Sequence, residues 1–154
     1  MKTMKNIKFS AVLIVLLYIM FSTAGCTNIH QTPDGVVVAF IVAAEKRDMT
    51  RAWNNLSPEL QAHYNSQGEK MRKSGKGALE NEIARITKFR SVKKDYTIQV
   101  DSVNSTVVNI VTIGGPVHKV ETAAIDGDYK IKDLASLKNL LDGITAEAKS
   151  KDGY

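Results

Sequence analysis

The sequence predicts an α+β fold in which N-terminal helices pack on a curved antiparallel sheet and a C-terminal helix follows. Helix-capping residues, and apolar residues three and four apart, recur between positions 32 and 90. From position 96 onward, apolar and polar residues alternate in short β-branched runs separated by turn residues. Helices followed by a meander of about four strands form a domain with the helices on one sheet face.

The first 25 residues have the layout of a secretory signal peptide. Lysines at positions 2, 5 and 8 precede the apolar stretch 11–21, and Ser22-Thr23-Ala24-Gly25 provides a cleavage site of small residues. The uncharged run 9–25 only just reaches the lower limit for a membrane-spanning helix, so a retained membrane anchor is the alternative interpretation.

Cys26 is the only cysteine of the chain, and it directly follows these small residues. This arrangement resembles the lipobox of bacterial lipoproteins. The resemblance implies that the Cys26 thiol is lipidated and that the mature protein is an extracytoplasmic lipoprotein anchored in a membrane. Thr27 stands where an aspartate would resemble an inner-membrane retention signal. The outer membrane, facing the periplasm, is therefore expected in a host with two membranes.

The mature chain begins at Cys26 and is nearly balanced in charge. Three of the 21 basic residues belong to the signal, which leaves 18 against 16 acidic residues. This balance gives no reason to expect a nucleic-acid partner. One cysteine also excludes an intramolecular disulfide. We expect a tether over 26–32, the α+β domain over 33–134, and a C-terminal helix and tail over 135–154.

Three capping signals predict the first three helices. Thr32-Pro33 begins a helix that is apolar nearly all round, which predicts burial on most of its faces. Asp48 caps a short helix over 49–56, and Ser57-Pro58 begins a third helix toward Tyr64. The glycine-rich composition of the next residues, 65–77, predicts a loop, and helical spacing of apolar residues returns after it until position 90.

Turn residues divide the second half of the chain into strands. Asn104-Ser105 and Gly114-Gly115-Pro116 are two of these turns, and Asp126-Gly127 is a strong signal for a two-residue hairpin. The predicted strands cover 96–100, 106–113, 117–125 and 129–132. A final helix follows, in which Gly143 is the weak point. Its apolar stripe contains Leu134, Leu137, Leu140, Leu141 and Ile144.

Two segments resemble small bacterial lipoproteins with a cystatin-like cone, of the nuclear-transport-factor-two-like superfamily. The opening segment contains Asp34-Gly35-Val36-Val37 to Phe40, then Asp48-Met49, Ala52-Trp53 and Leu56-Ser57-Pro58. The closing segment is Asp126-Gly127-Asp128-Tyr129-Lys130-Ile131. The resemblance covers residues 33–134 and implies a cone-shaped domain. It implies a fold rather than an activity, because this fold hosts enzymes, binders and scaffolds.

Catalysis and metal binding have little support in the sequence. His30, His63 and His118 are not at metal-ligand spacing, and no metal or other cofactor is expected. Enzymes on this superfold use an inward Asp or His with a Tyr donor, and the residues that could take these roles are Asp48, His63, Tyr64 and Asp101. Capping explains Asp48, and strand alternation turns Asp101 away from the apolar face. We therefore expect no enzyme, with an isomerase- or hydrolase-like activity as the alternative.

Two sets of residues are candidates for binding. Phe40, Trp53 and Tyr64 are candidates for a ligand pocket, although aromatic residues such as Phe40 and Trp53 more often belong to the core, and Tyr64 could be an ordinary aromatic residue of the rim. The segment 70–94 carries a net charge of +7. Its candidates for a basic surface are Lys70, Arg72, Lys73, Lys76, Lys93 and Lys94. This surface could face anionic headgroups or an acidic protein, or it could be a solvated helix face.

The sequence thus leaves two main functional hypotheses for a membrane-anchored lipoprotein. In the first, the cone binds a small apolar or amphipathic ligand between the first helix and the sheet. In the second, the protein is a structural or interaction subunit of a cell-envelope complex, and the basic segment or the C-terminal amphipathic helix is its docking surface.

Overall fold

The computed structural model describes residues 28–92, 95–112 and 114–147. Outside these ranges lie the predicted signal segment 1–25, the lipidation candidate Cys26, the basic residues Lys93 and Lys94, and the segment 148–154. What the sequence predicts for them therefore stays a prediction. Within the described ranges, no helix is both long enough and apolar enough to cross a membrane.

The described residues form a 3₁₀ helix, five α-helices and six strands. The 3₁₀ helix is Ile29–Gln31. The α-helices are α1 Pro33–Glu45, α2 Met49–Asn54, α3 Pro58–Lys70, α4 Gly75–Phe89 and α5 Leu134–Ile144. The strands are β1 Arg90–Val92, β2 Tyr96–Val100, β3 Val107–Thr112, β4 Val117–Ile125, β5 Asp128–Ile131 and β6 Thr145–Glu147. This order confirms the predicted α+β class with its C-terminal helix.

The first three helices begin where their capping residues predicted. The side chains of Thr32, Asp48 and Ser57 each accept a hydrogen bond from the backbone N–H three residues further on, at 3.0 to 3.2 Å. Pro33 and Pro58 occupy the first position of α1 and α3, where a missing N–H has no cost. Each cap contributes about 1 kcal/mol to stability.

Strands β2 to β5 form one curled antiparallel sheet in which neighbours in sequence are neighbours in space. Ile98 of β2 lies opposite Ile110 of β3, and Ile110 lies opposite His118 of β4. Asp126 and Gly127 join β4 to β5 with positive φ angles of 53° and 86°, as the tightest hairpin turns require. The predicted hairpin is confirmed.

One hydrophobic core joins α1, the sheet and α5. Val36 and Phe40 of α1, Ile110 and Val120 of the sheet, and Leu137 of α5 are each 0% exposed and belong to a single cluster. Side chains therefore fill the space between the first helix and the sheet, where the sequence suggested a ligand. Phe40 is a core residue and has no surface to offer a ligand.

The C-terminal helix α5 packs on β3 and β4 and is part of the same core. A Cβ atom on Gly143 would lie 2.9 Å from Ile110 Cγ2, so this glycine is what allows the close approach of helix and sheet. The apolar stripe Leu137, Leu141 and Ile144 is buried. The stripe therefore belongs to the core and offers no exposed docking surface.

The predicted loop over 65–77 is largely helical. Helix α3 continues to Lys70, and α4 begins at Gly75 after a short turn. A Cβ on Gly68 would lie 2.7 Å from the backbone of Lys73 and Ser74, and one on Gly75 would lie 2.6 Å from Trp53 Cη2. These glycines are present because the chain packs closely there, and the composition alone could not distinguish that from a flexible loop.

Three further features were not predicted. Ile29–Gln31, in the expected tether, is a 3₁₀ helix that packs on α1 and β5. Strands β1 and β6 form a separate antiparallel pair, with Ser91 opposite Ala146. Helix α2 ends at Asn54 because Leu56 forms a parallel bridge with Ile131 of β5.

Candidate functional site

A cleft of about 410 Å³ lies between α3, α4 and the first turns of α5. We call it the α3–α4–α5 cleft. Its polar side chains include His63, Tyr64, Glu82, Arg85 and Lys138, and its apolar ones are Met71, Ala78 and Leu134. This volume is within the range of small-molecule sites, and a few polar groups converging on an apolar surface are typical of them.

Helical spacing places these side chains around one opening. Leu60, Tyr64 and Gly68 form the buried face of α3, and His63 lies at the edge of that face. On α4, Glu82 and Arg85 are three residues apart, and on α5, Leu134 and Lys138 are four apart. Side chains with these spacings lie above one another on a helix surface. The packing of α3, α4 and α5 brings these three helix faces together around the cleft.

Tyr64 and Glu82 form the polar base of the cleft. The Tyr64 hydroxyl donates a hydrogen bond of 3.0 Å to Glu82 Oε2, and Tyr64 is only 1% exposed. Burial, and then the adjacent Glu82 carboxylate, raise the pKa of Tyr64 above its ordinary value. The hydroxyl therefore stays protonated at neutral pH and acts as a fixed hydrogen-bond donor to Glu82.

The His63 ring packs edge-on against the ring of Tyr64. Their centroids are 5.3 Å apart and the ring planes meet at 85°. This is a favourable arrangement for two aromatic rings, because the edge of one meets the face of the other. The contact stiffens the wall of the cleft beside the Tyr64–Glu82 pair.

Two cationic side chains at the rim are free to meet a ligand. Arg85 and Lys138 are exposed, and neither forms an ion pair or a side-chain hydrogen bond within the described ranges. Close by, Lys73 Nζ donates a hydrogen bond of 3.0 Å to Asn81 Oδ1, and Asn81 also lines the cleft. The rim is thus continuous with the basic turn between α3 and α4.

Of the three pocket candidates, only Tyr64 lines this cleft. Phe40 is in the core, and Trp53 is half-buried against the start of α4, where its ring contacts Gly75. The sequence did not single out Glu82, Arg85 or Lys138 as ligand contacts. A signal for the first two was present, because residues 78, 82 and 85 share one helical face.

The four residues considered for catalysis do not come together. Asp48 caps α2. Asp101 accepts hydrogen bonds from the side chain of Asn109 and from two backbone N–H groups of its own loop, which lower its pKa to about 2. Only His63 and Tyr64 are neighbours, and Tyr64 is a fixed donor. The described part of the chain contains no cluster of three His, Cys, Asp or Glu residues that could hold a metal.

The basic surface candidates that the structure describes lie on the turn between α3 and α4. Lys70, Arg72, Lys73 and Lys76 are on this turn or at its edges, and Met71 among them is 43% exposed. Lys76 Nζ donates a long hydrogen bond of 3.4 Å to Thr50 Oγ1. That contact brings α2 and its exposed Arg51 next to the turn.

A second cavity, of about 330 Å³, lies between α1, α4 and α5. It is mainly apolar, and its charged lining residues are Glu45, Arg47 and Glu80. With two carboxylates and one guanidinium, the lining of this cavity has a net negative charge, whereas the lining of the α3–α4–α5 cleft has a net positive charge. It also lacks a hydrogen-bonded polar pair like Tyr64 and Glu82 among its described residues.

Comparisons with known proteins add no relative. No protein-family model, curated protein or solved structure matches this chain.

Proposed function

We propose that this chain is a lipid-anchored bacterial lipoprotein whose extracytoplasmic domain binds a small amphipathic ligand without catalysing a reaction. In this proposal the domain is a cone of the nuclear-transport-factor-two-like kind. The ligand site is the α3–α4–α5 cleft. The observation that carries the proposal is the convergence there of the Tyr64–Glu82 pair with two free cations and an apolar wall.

The anchoring part of the proposal is supported by the position of Cys26. The folded chain begins almost at once after it, with the Asn28 side chain accepting the His30 N–H at 3.3 Å. Two residues span about 7 Å at most. A lipid on Cys26 would therefore hold the domain close to the membrane surface. Several acyl chains give a stable anchor, at about 0.8 kcal/mol for each buried methylene.

The binding part is supported by the contrast between core and cleft. Side chains fill the interior between α1 and the sheet, so a ligand has no room there without unfolding the core. The cleft is open, and its base is held rigid by a hydrogen bond and a ring contact. Preformed sites of this kind bind with a smaller entropic cost, because few groups need ordering.

Native mass spectrometry tests this proposal. Residues 27–154 contain every described element of the fold, so they are the soluble form to purify gently from the expressing cells. We expect a second mass species above the protein mass, which organic extraction removes and identifies. A single apo mass, with no species lost on extraction, contradicts the proposed binding function.

A second function, that of an interaction subunit of a cell-envelope complex, is favoured by the Lys76–Thr50 contact, which adds Arg51 to the basic turn. The enlarged basic surface fits an acidic protein of the cell envelope. Cross-linking of the anchored protein in cells tests this function. It predicts a specific cross-linked partner that is lost when Lys70, Arg72, Lys73 and Lys76 are replaced by glutamate, and an unchanged cross-link pattern contradicts it.

A further inference from the structure

We infer that the ligand of the α3–α4–α5 cleft is an amphiphilic anion, whose carboxylate or phosphate group binds Arg85 and Lys138 while its apolar part lies on Met71 and Leu134. The inference rests on the proposed function and adds the chemical class of the ligand. The observation behind it is that two cations on different helices line one cleft without partners among the described residues.

The charge of the cleft favours an anion. Arg85 and Lys138 contribute two positive charges, and Glu82 contributes the one negative charge among the lining residues. The Glu82 carboxylate already accepts a hydrogen bond from Tyr64 at the base of the cleft. The adjacent Lys70, Arg72 and Lys73 make the surrounding potential more positive, and a cleft with low-dielectric walls concentrates that potential.

The two cations are chemically suited to one anionic group. A guanidinium presents a planar set of donors that matches a carboxylate or phosphate, and an ammonium adds a compact charge that can approach from the side. Because Arg85 is on α4 and Lys138 is on α5, an anion between them would link the two helices across the opening. Binding should therefore also stabilise the fold.

The apolar part of the ligand has a matching surface. Met71 is 43% exposed, Leu134 is half-buried, and both line the cleft together with the methyl group of Ala78. Methionine adapts its shape to irregular ligands because its side chain is unbranched and polarizable. An amphiphilic anion would cover this exposed apolar surface and pair with the adjacent cations at the same time.

Calorimetric titration of four ten-carbon amphiphiles, each below its micelle concentration, tests the ligand class. The probes are decanoate, decyl phosphate, decyltrimethylammonium and the uncharged decyl maltoside, titrated into residues 27–154 after removal of bound material. We expect at least one anion to bind about tenfold more tightly than the cation and the uncharged probe, and to raise the melting temperature. Higher salt should weaken that binding.

Charge-removing variants locate the headgroup. Arg85→Gln and Lys138→Gln should each weaken binding of the anion about fivefold or more, since each removes one of its two partners. Lys46→Gln and Lys119→Gln are the matched controls, because both residues are exposed, lie outside the cleft and do not belong to the basic turn. All four side chains are on the surface, and circular dichroism should show the same melting curve for each.

The outcomes separate the two proposals. Equal affinity for all four headgroups, or unchanged anion binding in the Arg85→Gln/Lys138→Gln double variant, overturns the anion inference but leaves ligand binding standing. Preference for the cation also overturns it, because the two cations that line the cleft would repel that headgroup. If no probe binds and the purified protein carries no extra mass, both the anion inference and the proposed function fail.

Discussion

The hydroxyl of Tyr64 donates a 3.0 Å hydrogen bond to the Glu82 carboxylate, and this bond joins α3 to α4 at the base of the cleft. Tyr64 is almost fully buried and Glu82 is half-buried. A hydrogen bond to a charged acceptor is worth more than one between neutral groups. The pair therefore both stabilises the helical layer and fixes the shape of the cleft.

Tyr64→Phe should lower the free energy of unfolding by about 1–2 kcal/mol, because it removes a hydrogen bond to a charged group and leaves Glu82 without its donor. Urea unfolding at neutral pH measures the change. Tyr129→Phe is the control, since Tyr129 is half-buried and its hydroxyl has no hydrogen bond within the described ranges. Equal effects of the two substitutions would show that the Tyr64–Glu82 bond contributes nothing.

The same pair predicts a loss of stability at alkaline pH. Burial raises the pKa of Tyr64 above its ordinary value near 10. Above pH 10 the unfolded chain releases this proton while the folded chain keeps it, so the stabilisation present below pH 10 falls as the pH rises. The stability difference between wild type and Tyr64→Phe should shrink between about pH 9 and pH 11. A difference that stays constant over this range contradicts the assignment.

Gly143→Ala should destabilise the protein even though alanine is the better helix former by about 1 kcal/mol. The new methyl group would lie 2.9 Å from Ile110 Cγ2, and overpacking of this kind costs about 1–3 kcal/mol. We expect a net loss of up to about 2 kcal/mol in urea unfolding, because the overpacking cost outweighs the gain in helix propensity.

Gly77→Ala is the matched control for Gly143→Ala. Gly77 is also helical, but its nearest atoms would be at ordinary contact distances of 3.5 Å and more. This substitution should raise stability by up to about 1 kcal/mol, because only helix propensity changes. Stabilisation by both substitutions would mean that Gly143 is not required for the packing of α5 on the sheet.

Cys26→Ser should abolish membrane anchoring. Serine has no thiol for the lipid, so the variant should accumulate as uncut precursor or as material that separates from the membrane fraction. Fractionation with a mobility shift of the mature form measures both effects, and Ser22→Ala serves as a control that keeps a small residue beside the cleavage site. Normal processing and anchoring of the Cys26→Ser chain would contradict the lipoprotein assignment.

Much of the fold could be predicted because its signals are local. Thr32, Asp48 and Ser57 act within one helical turn, and Asp126-Gly127 acts within one hairpin, so the neighbouring residues suffice to interpret them. The glycine-rich composition of 65–77 predicts a loop, but Gly68 and Gly75 instead allow close contacts with segments whose position no local pattern records.

The site was harder to predict than the fold, because it exists only after three helices meet. Tyr64 and Glu82 are 18 residues apart, and Lys138 comes from beyond the whole sheet. Sequence periodicity shows which residues share a face of one helix, but it does not show which faces of different helices meet. The sequence alone therefore allows Phe40 to line a pocket. Only the packing of the core shows that the space around Phe40 is filled by other side chains.

A pair of tryptophan substitutions on α5 tests most directly whether the cleft is the binding site. Leu134→Trp places a large side chain in the cleft, whereas Ala135→Trp places the same side chain on the exposed surface one residue away. With folding checked by circular dichroism, native mass spectrometry should find the co-purified ligand on wild type and Ala135→Trp but not on Leu134→Trp. Ligand retained by a folded Leu134→Trp protein would contradict the account.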